Sequence, residues 1–84
     1  MRLDKYLKVS RLIKRRTVAN DACDSSRILV NGKIAKASYD IKIGDNITIS
    51  FGQKQLTVRV LSIKETTKKT ESVDMYEVIS QTEA

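Results

Sequence analysis

Two adjacent residues, Asn31 and Gly32, constrain this chain more tightly than any others. They lie between the apolar runs Ile28-Leu29-Val30 and Lys33-Ile34-Ala35. Both residue types tolerate the positive φ of a type I′ turn. Asn-Gly between apolar runs is therefore the strongest short-range hairpin signal. A hairpin opening near Arg27 splits the chain by period. Apolar residues before it recur at helical spacing, and those after it recur every second position.

Leu3, Tyr6, Leu7 and Ser10 share one face, with Lys5 and Lys8 opposite, which predicts a short amphipathic helix over residues 3–9. Asp4 falls in its first turn, where a carboxylate suits the helix dipole. Residues 10–14 connect to a second helix over about residues 15–25, marked by Val18, Ala19, Ala22 and Cys23. Beyond the hairpin, Ile43-Gly44-Asp45-Asn46 reads as a turn. Ile47, Ile49 and Phe51 alternate with Thr48 and Ser50, and Leu56, Val58 and Val60 alternate after a turn at Gly52-Gln53-Lys54. Lys64 to Ser72 is charged and Thr-rich and reads as a mobile loop. Met75 to Ile79 reads as a last strand at an edge, and residues 80–84 as a polar tail. Helices followed by strands predict an α+β fold: two short N-terminal helices, then a small, twisted, mostly antiparallel sheet. The expected organisation is one domain over residues 1–79, with C-terminal strands over 55–79.

The chain has 84 residues and a formal net charge of +6. The charge is uneven. Residues 1–36 hold ten Lys/Arg against three Asp, a net +7, while residues 37–84 hold six basic and seven acidic side chains, a net −1. A merely solvated surface mixes its signs. This asymmetry points to an anionic partner, either nucleic acid or a membrane surface. No apolar run approaches the roughly 18 residues of a spanning helix, and the N-terminus lacks the apolar stretch of a signal peptide. The single Cys fits a reducing cytoplasm. No membrane partner is expected.

The informative cluster is Lys14-Arg15-Arg16 at the start of the second helix. Three cations there oppose the helix dipole, at roughly 0.3–1 kcal/mol each when exposed. Helix stability alone would prefer Ser, Thr or Asp. The cluster makes sense if a phosphate completes it, meeting helix N–H groups and guanidinium forks together. The bland alternative is a tolerated surface cluster. Arg2, Lys5 and Lys8 fall on one side of the first helix, with Arg11 just beyond, so one continuous basic surface is expected. Asp4 would hold the first helix in position, paired with a nearby Arg. Tyr6 reads as core ahead of base stacking, and Cys23 as a buried hydrophobe. Direct base readout, if any, would fall to the Arg side chains, Tyr6 or Asn20. The chain has no His, which removes His-based acid–base chemistry and most zinc arrangements. It shows no Gly-rich phosphate loop, and its strands carry too few aromatics for an RNP-type stacking platform. Catalysis, a cofactor and a metal are not expected.

Arg2-Leu3-Asp4-Lys5-Tyr6-Leu7, Arg15-Arg16-Thr17-Val18-Ala19, Ile28-Leu29-Val30-Asn31-Gly32-Lys33 and Gly44-Asp45-Asn46-Ile47 occur in this order. Together they resemble the αL RNA-binding domain, the S-four type, over residues 1–50. Arg15 stands where that family usually has Ser, and Ser26 where it usually has Gly. The chain as a whole resembles the small ribosome-quality-control branch of the family. That resemblance implies a non-enzymatic, cytoplasmic factor acting as a monomer on obstructed large ribosomal subunits. Its partners would be large-subunit rRNA, the peptidyl-tRNA in the P site and RqcH, whose C-terminal alanine tailing it would support. Arg2, Lys5, Arg11, Arg15 and Arg16 would carry most of the contact, with Lys8 and Lys14 supporting. Two other readings stand beside it: a general structured-RNA binder or RNA chaperone, and a protein-interaction module using the strand near Met75–Ile79.

Overall fold

The helical spacing of the first 25 residues resolves into two helices, and the alternation after them into one sheet. The computed structural model describes residues 1–63 and 75–83. Helix α1 spans Leu3–Val9 and α2 spans Arg16–Asp24. Five strands follow: β1 (Ile28–Val30), β2 (Lys33–Ile34), β3 (Asn46–Phe51), β4 (Lys54–Val60) and β5 (Tyr76–Glu83). The sheet order is β2-β1-β3-β4-β5, and every pair is antiparallel. This is the expected α+β architecture. The expected loop over 64–72 lies outside the described residues. Among the described residues, no helix is long and apolar enough to cross a membrane.

The sheet buries one face. Ile47 and Ile49 of β3 point inward, while Thr48 and Ser50 alternate with them. The register sets Ile28 opposite Ile49, and Val30 and Val58 opposite Ile47. Such apolar cross-strand pairs are the unit of sheet stability. Leu3, Tyr6 and Leu7 of α1 and Ala19 and Cys23 of α2 join these residues in one core. Tyr6 is fully buried, as its spacing implied, and its hydroxyl donates to the Met75 carbonyl at 2.7 Å. That carbonyl also accepts the Leu61 N–H at 2.8 Å, so one oxygen links α1, the end of β4 and the start of β5. Burial pushes the Tyr6 phenol up, keeping it a donor.

The hairpin forms as the Asn-Gly pair dictates, with φ of 53° at Asn31 and 82° at Gly32. Asn31 does more than turn the chain. Its Oδ1 accepts the Asn46 N–H at 3.0 Å, and its Nδ2 donates to Asp45 Oδ1 at 3.1 Å. Asp45 Oδ2 in turn accepts the Lys42 N–H at 3.0 Å. Two separated sequence signals, Asn31-Gly32 and Gly44-Asp45, are thus two halves of one hydrogen-bonded corner.

Three boundaries differ from the sequence expectation. The second helix is shorter by a residue at each end, because Arg15 is extended and Ser25 has left the helix. β4 begins at Lys54 rather than after it. The residues expected as a polar tail are instead strand to Glu83, with Ser80, Gln81 and Thr82 opposite Thr57, Leu56 and Gln55. β5 is an edge strand, so it can carry polar side chains outward and still bond to β4 through its backbone. A register shift at Thr57/Val58 leaves Ile79 unpaired and puts both Val78 and Ile79 at the surface. That bulge breaks the alternation the sequence reading relied on.

Both helices end on a left-handed residue that is not glycine: Arg11 at φ 63° and Ser26 at φ 60°. At Ser26 the Arg27 N–H reaches the Ala22 carbonyl at 3.0 Å and the Ser26 N–H reaches the Cys23 carbonyl at 3.1 Å, a Schellman cap. Ser takes here the left-handed geometry that Gly reaches at lower cost. The left-handed conformation costs a residue with a Cβ roughly 1–2 kcal/mol. Ser26→Gly is therefore expected to stabilise the fold by about 1 kcal/mol, raising the urea midpoint with an unchanged slope.

Candidate nucleic-acid interface

The start of α1 has no side-chain cap. Its first amides are satisfied by a neighbouring segment instead. The Leu3 N–H donates to the Tyr39 carbonyl at 2.8 Å and the Asp4 N–H to the Ala37 carbonyl at 3.2 Å. The Ile41 N–H donates to the Met1 carbonyl at 2.9 Å, and the terminal ammonium meets Asp40 Oδ1 at 2.8 Å. Residues 37–41 thus strap the N-terminus in place and fix the backbone of Arg2. Because backbone carbonyls do the capping, the side chains of Arg2 and Asp4 are left for other work.

Asp4 uses that freedom. Its side chain is only 3% exposed, yet it accepts from four residues. The Lys5 N–H reaches Oδ1 at 2.8 Å, a full-strength bond. Arg2 Nε reaches Oδ1 at 3.2 Å and Arg2 Nη2 reaches Oδ2 at 3.4 Å. Arg16 Nε and Asn20 Nδ2, one turn apart on α2, each reach Oδ2 at 3.4 Å. The four side-chain bonds sit at or beyond the long end of the hydrogen-bond range, so these donors act on Asp4 largely through charge and dipole. Burial works to raise the Asp4 pKa. Hydrogen bonds from Arg2, Asn20 and the Lys5 amide, with the Arg16 charge, outweigh it and hold the carboxyl below its usual value.

The two arginines are half-exposed, at 51% and 50%. Each therefore shows part of its guanidinium to solvent. Arg16 commits only its Nε to Asp4, so its Nη groups remain available for a planar anion. Arg2 and Arg16 both meet Asp4, for which one nearby Arg was expected, and Asn20 joins them as a further partner of Asp4. Lys5 is half-buried on the outer side of α1. Lys8, Arg11, Lys14 and Arg15 are exposed, on the end of α1, the connection and the N-cap of α2. Among the described residues these four make no ion pair. Arg15 is extended at the N-cap with no side-chain cap, and no acid lies in the first turn of α2. Arg11 is held at the strained φ described above, which aims a cation outward from the turn. The strap was missed by sequence reasoning, because residues 36–42 show neither period.

A protein-family model described as the S4 domain matches residues 1–47, which span α1, α2, the hairpin and the start of β3. A RQC P-site tRNA stabilizing factor of Streptococcus pneumoniae is 58% identical over 82 residues, covering 98% of this chain and 93% of the relative. The Bacillus subtilis protein of the same name is 57% identical, covering 96% and 94%.

The chain belongs to the S4 domain family, among the RQC P-site tRNA stabilizing factors.

The fold also matches the structure of Vibrio cholerae heat shock protein 15, with a TM-score of 0.88, 28% identity, and coverage of 95% of this chain and 82% of that one. The S4 match ends where β3 begins, so the arginines and their carboxylate all lie inside it. It includes the strap and both halves of the Asn31–Asp45 corner.

A folded carboxyl with a depressed pKa stabilises the protein above its unfolded pKa, and that contribution is lost as pH falls through the folded value. The stability gap between the wild type and Asp4→Asn should therefore stay constant from about pH 7 to about pH 5. It should narrow as pH descends below the ordinary carboxyl value of 3.8, read as urea midpoints across pH.

Proposed function

We propose that this chain is a non-enzymatic RNA-binding factor that seats P-site tRNA on obstructed large ribosomal subunits. The observation that carries the reading is the half-exposed Arg2–Arg16 pair, set on a buried carboxylate and flanked by four exposed cations that make no ion pair among the described residues. A protein stabilised only for its own sake would neutralise these charges. An RNA backbone neutralises them on binding and releases counterions. The curated relatives are named for stabilising P-site tRNA, and this chain matches them over nearly its full length. In this reading Arg2, Lys5, Arg11, Arg15 and Arg16 carry the phosphate contacts, with Lys8 and Lys14 supporting. The chain acts as a single copy in the cytoplasm and supports RqcH-dependent alanine tailing on the same particle.

Arg11 offers a test in which loss of binding cannot be mistaken for loss of fold. Arg11→Gly relieves a left-handed backbone, so stability should rise by several tenths of a kcal/mol to about 1 kcal/mol. Co-sedimentation with tRNA-bearing large subunits should nevertheless weaken. Arg16→Ala should abolish co-sedimentation with an unchanged circular dichroism spectrum, since Arg2, Asn20 and the Lys5 amide still hold Asp4. Unchanged sedimentation of both variants would overturn the site. An excess of unrelated RNA hairpins should compete poorly; equal competition would favour a general RNA binder.

A further inference from the structure

Outside the Asp4 site, the connection after α1, helix α2 and the end of β3 enclose an open groove of about 280 Å³. Its walls include Leu12, Val18 and Phe51, and its lining includes the exposed cations Lys14 and Arg27. Among the described residues no carboxylate lines it. Val18 is 49% and Phe51 46% exposed, although both are large apolar side chains.

We propose that this groove holds one unpaired nucleotide of the bound RNA, with its base against Phe51 and Val18 and its phosphate between Lys14 and Arg27. The inference rests on the RNA-binding reading and deepens it. Three observations favour a nucleotide over other occupants. The groove falls just below the roughly 300–1,000 Å³ of sites for drug-sized ligands, which suits a single ring system. Apolar walls beside two cations match a base, which has apolar faces and a charged phosphate one sugar away. Lys14 also belongs to the Lys14-Arg15-Arg16 cluster, so a strand leaving that cluster reaches the groove without a gap. A single aromatic is too little for a platform that reads several bases, but it suffices for one. Base–aromatic stacking tolerates any base, so the groove would recognise an unstacked nucleotide and not a sequence.

The test uses two labelled RNA hairpins with the same stem, one of them carrying a single bulged adenine. The wild type should prefer the bulged hairpin by about tenfold. Phe51→Ala should remove the preference by weakening only the bulged hairpin, and Phe51→Leu, which keeps apolar bulk without a ring, should do the same. The chain has no Trp, so Phe51→Trp supplies a lone fluorophore at the site. Its emission should be quenched by the bulged hairpin and not by the paired one, with the preference kept. Equal wild-type affinity for the two hairpins, or a preference that survives Phe51→Ala and Phe51→Leu, would overturn the groove assignment alone. Binding to neither hairpin, with co-sedimentation on tRNA-bearing large subunits kept, would likewise overturn the groove assignment alone; loss of that co-sedimentation as well would overturn the RNA-binding reading and the groove with it.

Discussion

The buried carboxylate of Asp4 is the interaction on which the site depends. A carboxylate removed from water must be compensated, and leaving a buried charge unpaired costs about 3–5 kcal/mol. Here the compensation comes from one backbone amide of α1, one arginine before α1, and an arginine and an asparagine on α2. Satisfying Asp4 therefore docks α2 against α1 and fixes where two guanidiniums stand. Because the side-chain bonds are long, the arginines are oriented without being used up. The same charge that stabilises the helix pair thus prepares its outer face for an anion.

The rest of the fold keeps that arrangement in register. The strap at residues 37–41 takes over the capping of α1, which a Ser or Thr would otherwise supply from the position of Arg2. The Asn31–Asp45 corner holds the far end of the segment that becomes the strap. The Tyr6 hydroxyl ties the inner side of α1 to the start of β5. Strain enters at the edge of the basic face, where Arg11 occupies a left-handed position that Gly would take more cheaply. Sparsely populated backbone conformations concentrate at functional sites. The strained residue there is an exposed cation, which is why the proposed contact includes Arg11.

Much of this was legible from residue types. Asn31-Gly32 and the change of period located α1, α2, the hairpin and the central strands, because each signal acts between near neighbours. The charge excess and the motif around Asp4 located the basic surface. What stayed hidden depends on distant partners. No local period marks residues 37–41, whose carbonyls serve amides more than thirty positions away. Ser80, Gln81 and Thr82 look like a tail until β4 offers them an edge, and the bulge at Thr57/Val58 hides the alternation. Asn20 was visible as a polar residue on α2, but its role depends on Asp4 lying across the helix interface. Phe51 was counted as one aromatic too few, and only its place beside Lys14 and Arg27 gives it meaning.

Asp4→Asn separates a positioning role from simple charge. The substitution removes a negative charge from the basic face, so charge alone would tighten RNA binding. If Asp4 sets the geometry of Arg2 and Arg16, binding must weaken despite the added net charge. The decisive measurement is the affinity of Asp4→Asn for tRNA-bearing large subunits, at fixed salt and with the fold verified. A loss of about tenfold or more is expected, corresponding to ~1.4 kcal/mol. Unchanged or tighter binding would contradict the account.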